Sequence, residues 1–195
     1  MRVVLDWDGT STTFDTMVAL VRRFGDADII DSGLAGRSLH EAIEAELGSL
    51  RVGRHEAVEW LLENAEVRPG LHELIERHRP LILSMNVREL IEPILAREGL
   101  TAEVVAHGLA GDEGWEVEFR DEDPCAVCGE PCKRGALPGG EVVYVGDGWS
   151  DQCAALAAER VFATGPLARY LEREGVPFER FDDLHEVADA LAAIA

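Results

Sequence analysis

Carboxylates stand in two tight groups along this 195-residue chain, Asp6 and Asp8 near the N-terminus and Asp147 and Asp151 farther on, each group interleaved with glycine. Thr10 follows the first group, Ser84 ends the apolar run Leu81-Ile82-Leu83, and Lys133 lies in a Cys- and Gly-rich stretch. Alternate residues of an extended segment point the same way, so Asp6 and Asp8 are expected to face one crevice, where Asp147 would add a third negative charge. Such a crevice needs a cation. Oxygen-only ligands without histidine suit Mg²⁺, which keeps several waters and binds through one or two carboxylates plus a substrate phosphate. Lys133 would bring a second positive charge. It is the only lysine beside 17 arginines, which marks a place where a compact point charge is required and a planar fork will not serve. The Thr10 hydroxyl reads either as part of this site or as a bond to its own loop.

The four cysteines form a second group. Cys125-Ala126-Val127-Cys128-Gly129 has the shape of a zinc knuckle, and Cys132 supplies a third sulfur. A structural site wants a fourth ligand, with Cys153 preferred over His107; reduced, merely packed thiols are the other reading. Without a local histidine to activate it, none of these cysteines is expected to be a nucleophile.

The elements that must position these residues alternate. Arg2 to Leu5, Leu81 to Ser84, Val104 to Val105, Glu141 to Val145 and Val161 to Ala163 read as strands, with a hairpin around Trp115, Val117 and Phe119. Helical patterns cover Leu71 to Ile75, Val87 to Gly99, a segment from about Ser150, Leu167 to Glu174 and Leu184 to Ile194. This alternation predicts an α/β fold with a mainly parallel central sheet, whose ligand site lies beyond the carboxyl ends of the strands. Residues 14–69 interrupt it with apolar positions at helical spacing only, among them Met17, Leu20, Ile43, Leu47 and Leu61. They are expected to be a helical insertion into a core formed by 1–13 and 70–195.

The formal charge is −20, which disfavours a counterion-displacing nucleic-acid surface and an anionic membrane as partners. Asp6 and Asp8 interrupt the N-terminus before a secretory apolar stretch can form, and no apolar run of membrane-spanning length exists, so a cytoplasmic protein is expected. His40, His55, His72, His78 and His185 sit among charged neighbours on helical segments, and most of them are expected at the surface. Trp7 and Trp149 flank the proposed site, as pocket walls or as core.

Asp6-Trp7-Asp8-Gly9-Thr10, Ser84, Lys133 and Gly146-Asp147-Gly148-Trp149-Ser150-Asp151 resemble, in order, the four motifs of the haloacid dehalogenase superfamily. The resemblance covers nearly the whole chain and implies a Rossmann-like core. The helical insertion after the first motif is similar to the small helical cap of the phosphoserine-phosphatase-like branch. The combination of Asp6-Trp7-Asp8-Gly9-Thr10 with a cysteine-rich stretch abutting the lysine is similar to phosphatases acting on 2-hydroxy-3-keto-5-methylthiopentenyl-1-phosphate or on phosphoethanolamine and phosphocholine. The resemblance implies a magnesium-dependent phosphatase for a small phosphorylated metabolite. Asp6 would be the nucleophile that becomes an aspartyl-phosphate, and Asp8 the acid and then the base. Thr10, Ser84, Asn86 and Lys133 would bind the phosphoryl group. Asp6, Asp8 (through its carbonyl) and Asp147 would hold Mg²⁺, with Asp151 supporting its water shell. The alternatives are a phosphoserine-type phosphatase, a phosphotransferase, or a non-catalytic zinc-knuckle binding protein on the same scaffold.

Overall fold

The computed structural model describes residues 1–33, 36–111, 113–120 and 122–193. Its centre is a seven-stranded sheet built from β1 (Arg2–Leu5), β2 (Leu81–Val87), β3 (Glu103–Leu109), β4 (Val117–Glu118), β5 (Val142–Gly146), β6 (Arg160–Ala163) and β7 (Glu179–Arg180). Their order across the sheet is β4-β3-β2-β1-β5-β6-β7, parallel throughout except for the antiparallel β3–β4 pair.

The chain runs outward from β1 through β2 and β3 on one side, then returns to β5 on the other. The connections therefore diverge between β1 and β5, and in an open parallel sheet the crevice at such a point receives the ligand. The register aligns Val4 with Tyr144 and Leu5 with Val145. The backbone N–H of Asp6 extends this pairing by donating to the Val145 carbonyl at 2.9 Å. Asp6 and Asp147 thus leave the sheet side by side.

Strand side chains alternate between two faces. Val3, Leu5, Ile82, Val143 and Val145 enter the larger core, and Val4, Leu81, Leu83, Tyr144 and Val161 the smaller one. The larger core is covered by α5 (Leu71–His78), α6 (Arg88–Arg97) and α9 (Leu184–Ala192); the smaller lies under the four-residue α7 (Gln152–Ala155) and α8 (Gly165–Glu174).

Between β1 and α5 stand α1 (Thr16–Phe24), α2 (Ala27–Asp31), α3 (Leu39–Ser49) and α4 (Arg54–Asn64). Leu20, Leu47 and Leu61, spaced to fall on inner helix faces, are at most 1 % exposed and continuous with the larger core. Truncating any of them to alanine should cost about 2–5 kcal/mol. The chain enters and leaves this helical stretch through one antiparallel bridge, Thr12 with Val67, flanked by bonds from Thr13 N–H to Glu66 O (2.9 Å) and Arg68 N–H to Ser11 O (2.8 Å).

Several boundaries move from the sequence expectation. β2 continues past Ser84 to Val87, α7 starts at Gln152 and lasts one turn, and β7 was not anticipated because its two residues are charged and exposed. The last helix ends at Ala192; Ile194, its expected end, lies outside the described residues. Trp7 is fully buried in the larger core, whereas Trp149 is half exposed. No described helix is long and apolar enough to cross a membrane.

Candidate active site

A cleft of about 840 Å³ opens beyond the carboxyl ends of β1, β2 and β5, and Asp6, Asp8, Ser84, Asn86, Lys133 and Asp147 all line it. Asp6 follows β1 directly and begins the turn Trp7–Ser11, where Asp8 (φ −72°, ψ 125°) and Gly9 (φ +73°) break regular geometry. A side chain at Gly9 would be strained at that φ, and its Cβ would stand 2.6 Å from Asp147 Oδ2. Glycine is what lets the first motif approach the fourth.

Asp6 and Asp8 both line this cleft, as expected for residues that face one crevice, but their carboxylates have different partners. Oxygens of Asp6, Asp147 and Asp151 lie within 4.8 Å of one another, and the Asp8 carboxylate stands outside that trio. It accepts bonds from the backbone N–H of Thr16 (2.8 Å), from the Thr16 hydroxyl and from Asn86 Nδ2 (2.9 Å). Burial raises its pKa against the pull of these donors, so its proton is retained to higher pH than an ordinary carboxylate would allow.

Lys133 is 1 % exposed and donates to both Asp6 and Asp151, the latter at 2.6 Å. Burial alone would lower its pKa, but the charges of Asp151 and then Asp6 more than reverse this and hold it cationic. Asp151 is fully buried. Its Oδ1 accepts from Lys133 and from Tyr144 OH (2.6 Å), and its Oδ2 from the N–H groups of Asp147 (3.1 Å) and Gly148 (2.8 Å). Both oxygens are thus occupied by the protein, and Asp151 acts on the site by fixing Lys133 and the Asp147 loop.

The Thr10 hydroxyl lies between Asp6 Oδ2 (3.0 Å) and Asp147 Oδ1 (2.9 Å), behind the cleft surface, so it orients carboxylates rather than facing a ligand. Burial, then the charge of Asp151, pushes Asp147 up to about 6. Asp6 is raised well above the carboxylate range by burial and by Asp151, only partly offset by Lys133. Three carboxylates against one ammonium leave an excess of negative charge in a buried place. All-oxygen donors and unmet negative charge fit a hard dication such as Mg²⁺.

In β2 the register with β3 is irregular between Leu83 and Val87, and Ser84, Met85 and Asn86 turn to the cleft. Ser84 Oγ accepts from the Asn86 N–H at 3.0 Å, which leaves the hydroxyl proton to donate into the cleft. The Asn86 side chain is committed elsewhere: its amide holds Asp8 and Thr16, and its carbonyl accepts from Val87 N–H at 2.7 Å. It thereby fixes the Asp8 carboxylate at the cleft wall.

Sequence reasoning missed Thr16, Arg68 and Tyr144. Arg68, which lines the cleft, donates to the carbonyls of Thr10 (2.8 Å), Gly9 (2.6 Å) and Asp182 (2.9 Å) and so buttresses the first motif. Tyr144 had a local signal, a phenol inside an apolar strand run. Thr16 and Arg68 had none, since only folding brings them to the site. His107 lies away from the sulfurs: its Nδ1 accepts from the Arg120 N–H at 3.1 Å, and its ring meets His40 and Phe119.

Comparison with known proteins identifies the family and the fold. The haloacid dehalogenase-like hydrolase family profile matches residues 3–156. A 2-hydroxy-3-keto-5-methylthiopentenyl-1-phosphate phosphatase from Microcystis aeruginosa is 28 % identical over 202 residues, spanning 97 % of this chain and 96 % of the relative. Pdp3-interacting factor 1 of Schizosaccharomyces pombe is 27 % identical over 94 % and 93 %. Among solved structures, a phospho-aspartyl intermediate analogue of phosphoserine phosphatase superposes with a TM-score of 0.71 at 18 % identity, covering 97 % of each chain. Phosphoserine phosphatase from T. onnurineus gives 0.69 at 21 %, covering 96 % and 92 %. With its motif residues gathered around a single cleft, the chain belongs to the haloacid dehalogenase-like hydrolase family and is a phosphoric monoester hydrolase of that family.

Proposed function

We propose that this chain hydrolyses a small phosphorylated metabolite in the cytoplasm, through an aspartyl-phosphate on Asp6. The carrying observation is that Asp6, Ser84, Lys133 and Asp147, distant in sequence, share one cleft. Asp6 Oδ attacks phosphorus as the bond to the leaving oxygen breaks, and Asp8, whose pKa burial raises, gives that oxygen its proton. Asp8, now a base, takes a proton from water, whose oxygen attacks phosphorus and releases Asp6. Lys133 and the Ser84 hydroxyl stabilise the equatorial oxygens through both steps. Mg²⁺, held by Asp6, Asp147 and the Asp8 carbonyl with Asp151 behind, would neutralise phosphoryl charge. The helices of 14–69 serve as a cap over the leaving group, hinged where Thr12 meets Val67.

The test is phosphate release from p-nitrophenyl phosphate. We expect dependence on Mg²⁺ and a fall on the order of 10⁴-fold or more in Asp6→Asn. Turnover surviving that change would remove the nucleophile.

For the leaving group, Phe14, Met17 and Ile43 line the outer cleft, in keeping with an apolar tail of the methylthiopentenyl kind. A second reading, an amine-bearing substrate such as phosphoserine or phosphoethanolamine, is favoured by Asp15 and Glu46 on the same wall. Asp15 is open to the cleft, yet the surrounding protein and Asp8 push it up to about 8; burial and Asp8 push Glu46 up to about 7. A higher kcat/KM for amine-bearing than for neutral alkyl phosphates would select the second reading, and the reverse order the first.

A further inference from the structure

Four sulfur atoms from separate stretches of chain converge at the back of the lysine loop. Those of Cys125, Cys128, Cys132 and Cys153 lie within 4.8 Å of one another, and all four are free thiols. Cys125 and Cys153 are 3.8 Å apart. A disulfide would require about 2.05 Å. A tetrahedron of thiolates about 2.3 Å from a central Zn²⁺ has edges of about 3.8 Å, which matches this spacing.

The local backbone is shaped for the same purpose. Gly129, directly after the second cysteine, has φ +81°, and the chain folds back so that Gly129 N–H donates to the Cys125 carbonyl at 2.8 Å. The N–H of Val127 points at Cys125 Sγ from 3.4 Å. Cys132 is buried at the base, whereas Cys128 is exposed at the rim.

We propose that these four cysteines bind one structural Zn²⁺, and that this ion holds Lys133 at the phosphate site. Cys132 immediately precedes Lys133, and Cys153 lies two residues after Asp151, so one ion would tie together the two segments that form the Lys133–Asp151 pair. The connection from β4 to β5 needs such a tie. Apart from the short turn Lys133–Ala136 its described residues have no regular secondary structure, and long unstructured connections are otherwise poor carriers of a fixed charge. Arg134 Nη1 donates to the Cys153 carbonyl at 3.2 Å, a direct bond between the same two segments.

The metal stands independently of the activity; its effect on Lys133 rests on the phosphatase reading. Elemental analysis of the purified full-length protein should find one Zn²⁺ per chain, and cobalt exchanged into it should give thiolate charge-transfer and tetrahedral visible bands. Less than about half an equivalent of zinc, with no cobalt bands, overturns the site. Cys128→Ser, at the exposed corner, should lose the metal and bind inorganic phosphate, titrated calorimetrically with Mg²⁺ present, on the order of tenfold more weakly. Zinc lost with phosphate affinity unchanged overturns the positioning role. Full zinc in a wild-type protein that binds no phosphate would uphold the metal site and overturn the phosphatase reading instead.

Discussion

Lys133→Met removes the only buried cation among the described residues and leaves Asp6 and Asp151, each nearly or fully buried, facing one another. Breaking a buried ion pair by deleting one partner typically costs about 3–5 kcal/mol, because the surviving charge is left uncompensated. Part of that loss can be relieved by protonation. Asp6 already has a folded pKa raised by burial and by Asp151, and Lys133 is the main influence pulling it down. Without the lysine the folded pKa rises further while the unfolded value stays near 3.8. A carboxyl whose folded pKa is raised favours the folded state at low pH and opposes it as pH climbs. The lysine itself is charged in both states throughout this range, since its folded pKa is raised as well. The deficit of the variant should therefore be smallest near pH 5 and grow toward pH 8, by about 1.4 kcal/mol for every pH unit over which Asp6 stays protonated in the variant alone. Urea unfolding of both proteins at pH 5 and pH 8, in magnesium-free buffer, measures this directly. A deficit under about 1 kcal/mol at pH 8, or one that does not change between the two pH values, would refute the reasoning.

Gly9→Ala should destabilise by about 1–2 kcal/mol from its left-handed φ alone, and also weaken Mg²⁺ binding as the new Cβ displaces Asp147; thermal melts with and without Mg²⁺ report both. Thr16→Val deletes a hydroxyl that lowers the Asp8 pKa, so the alkaline limb of the kcat/KM profile, which needs Asp8 protonated, should move to higher pH. Below about pH 6 Asp147 holds a proton that Mg²⁺ must displace, and calorimetric titrations at pH 5, 6 and 7 should show affinity falling as the medium becomes more acid.

Much of the candidate site was legible in the chain because its residues interrupt or follow apolar runs, and such runs are local events: one stops at Asp6, one is interrupted by Ser84 inside β2, and one stops at Gly146 just before Asp147. The lone lysine and the cysteine spacing were equally visible without coordinates. The alternation of strands and helices determined the parallel core and the helical insertion for the same reason, since periodicity depends on near neighbours. What only the tertiary structure decided is direction and company. That Asp8 is held by Thr16 and Asn86, that Thr10 bonds Asp6 and Asp147 while Asp151 bonds Lys133, and that Arg68 braces the first motif all depend on groups brought together across long stretches of chain. Hydrogen bonds between distant segments have no signature in local sequence; burial then shifts the protonation of each carboxylate, and burial is a property of the folded whole.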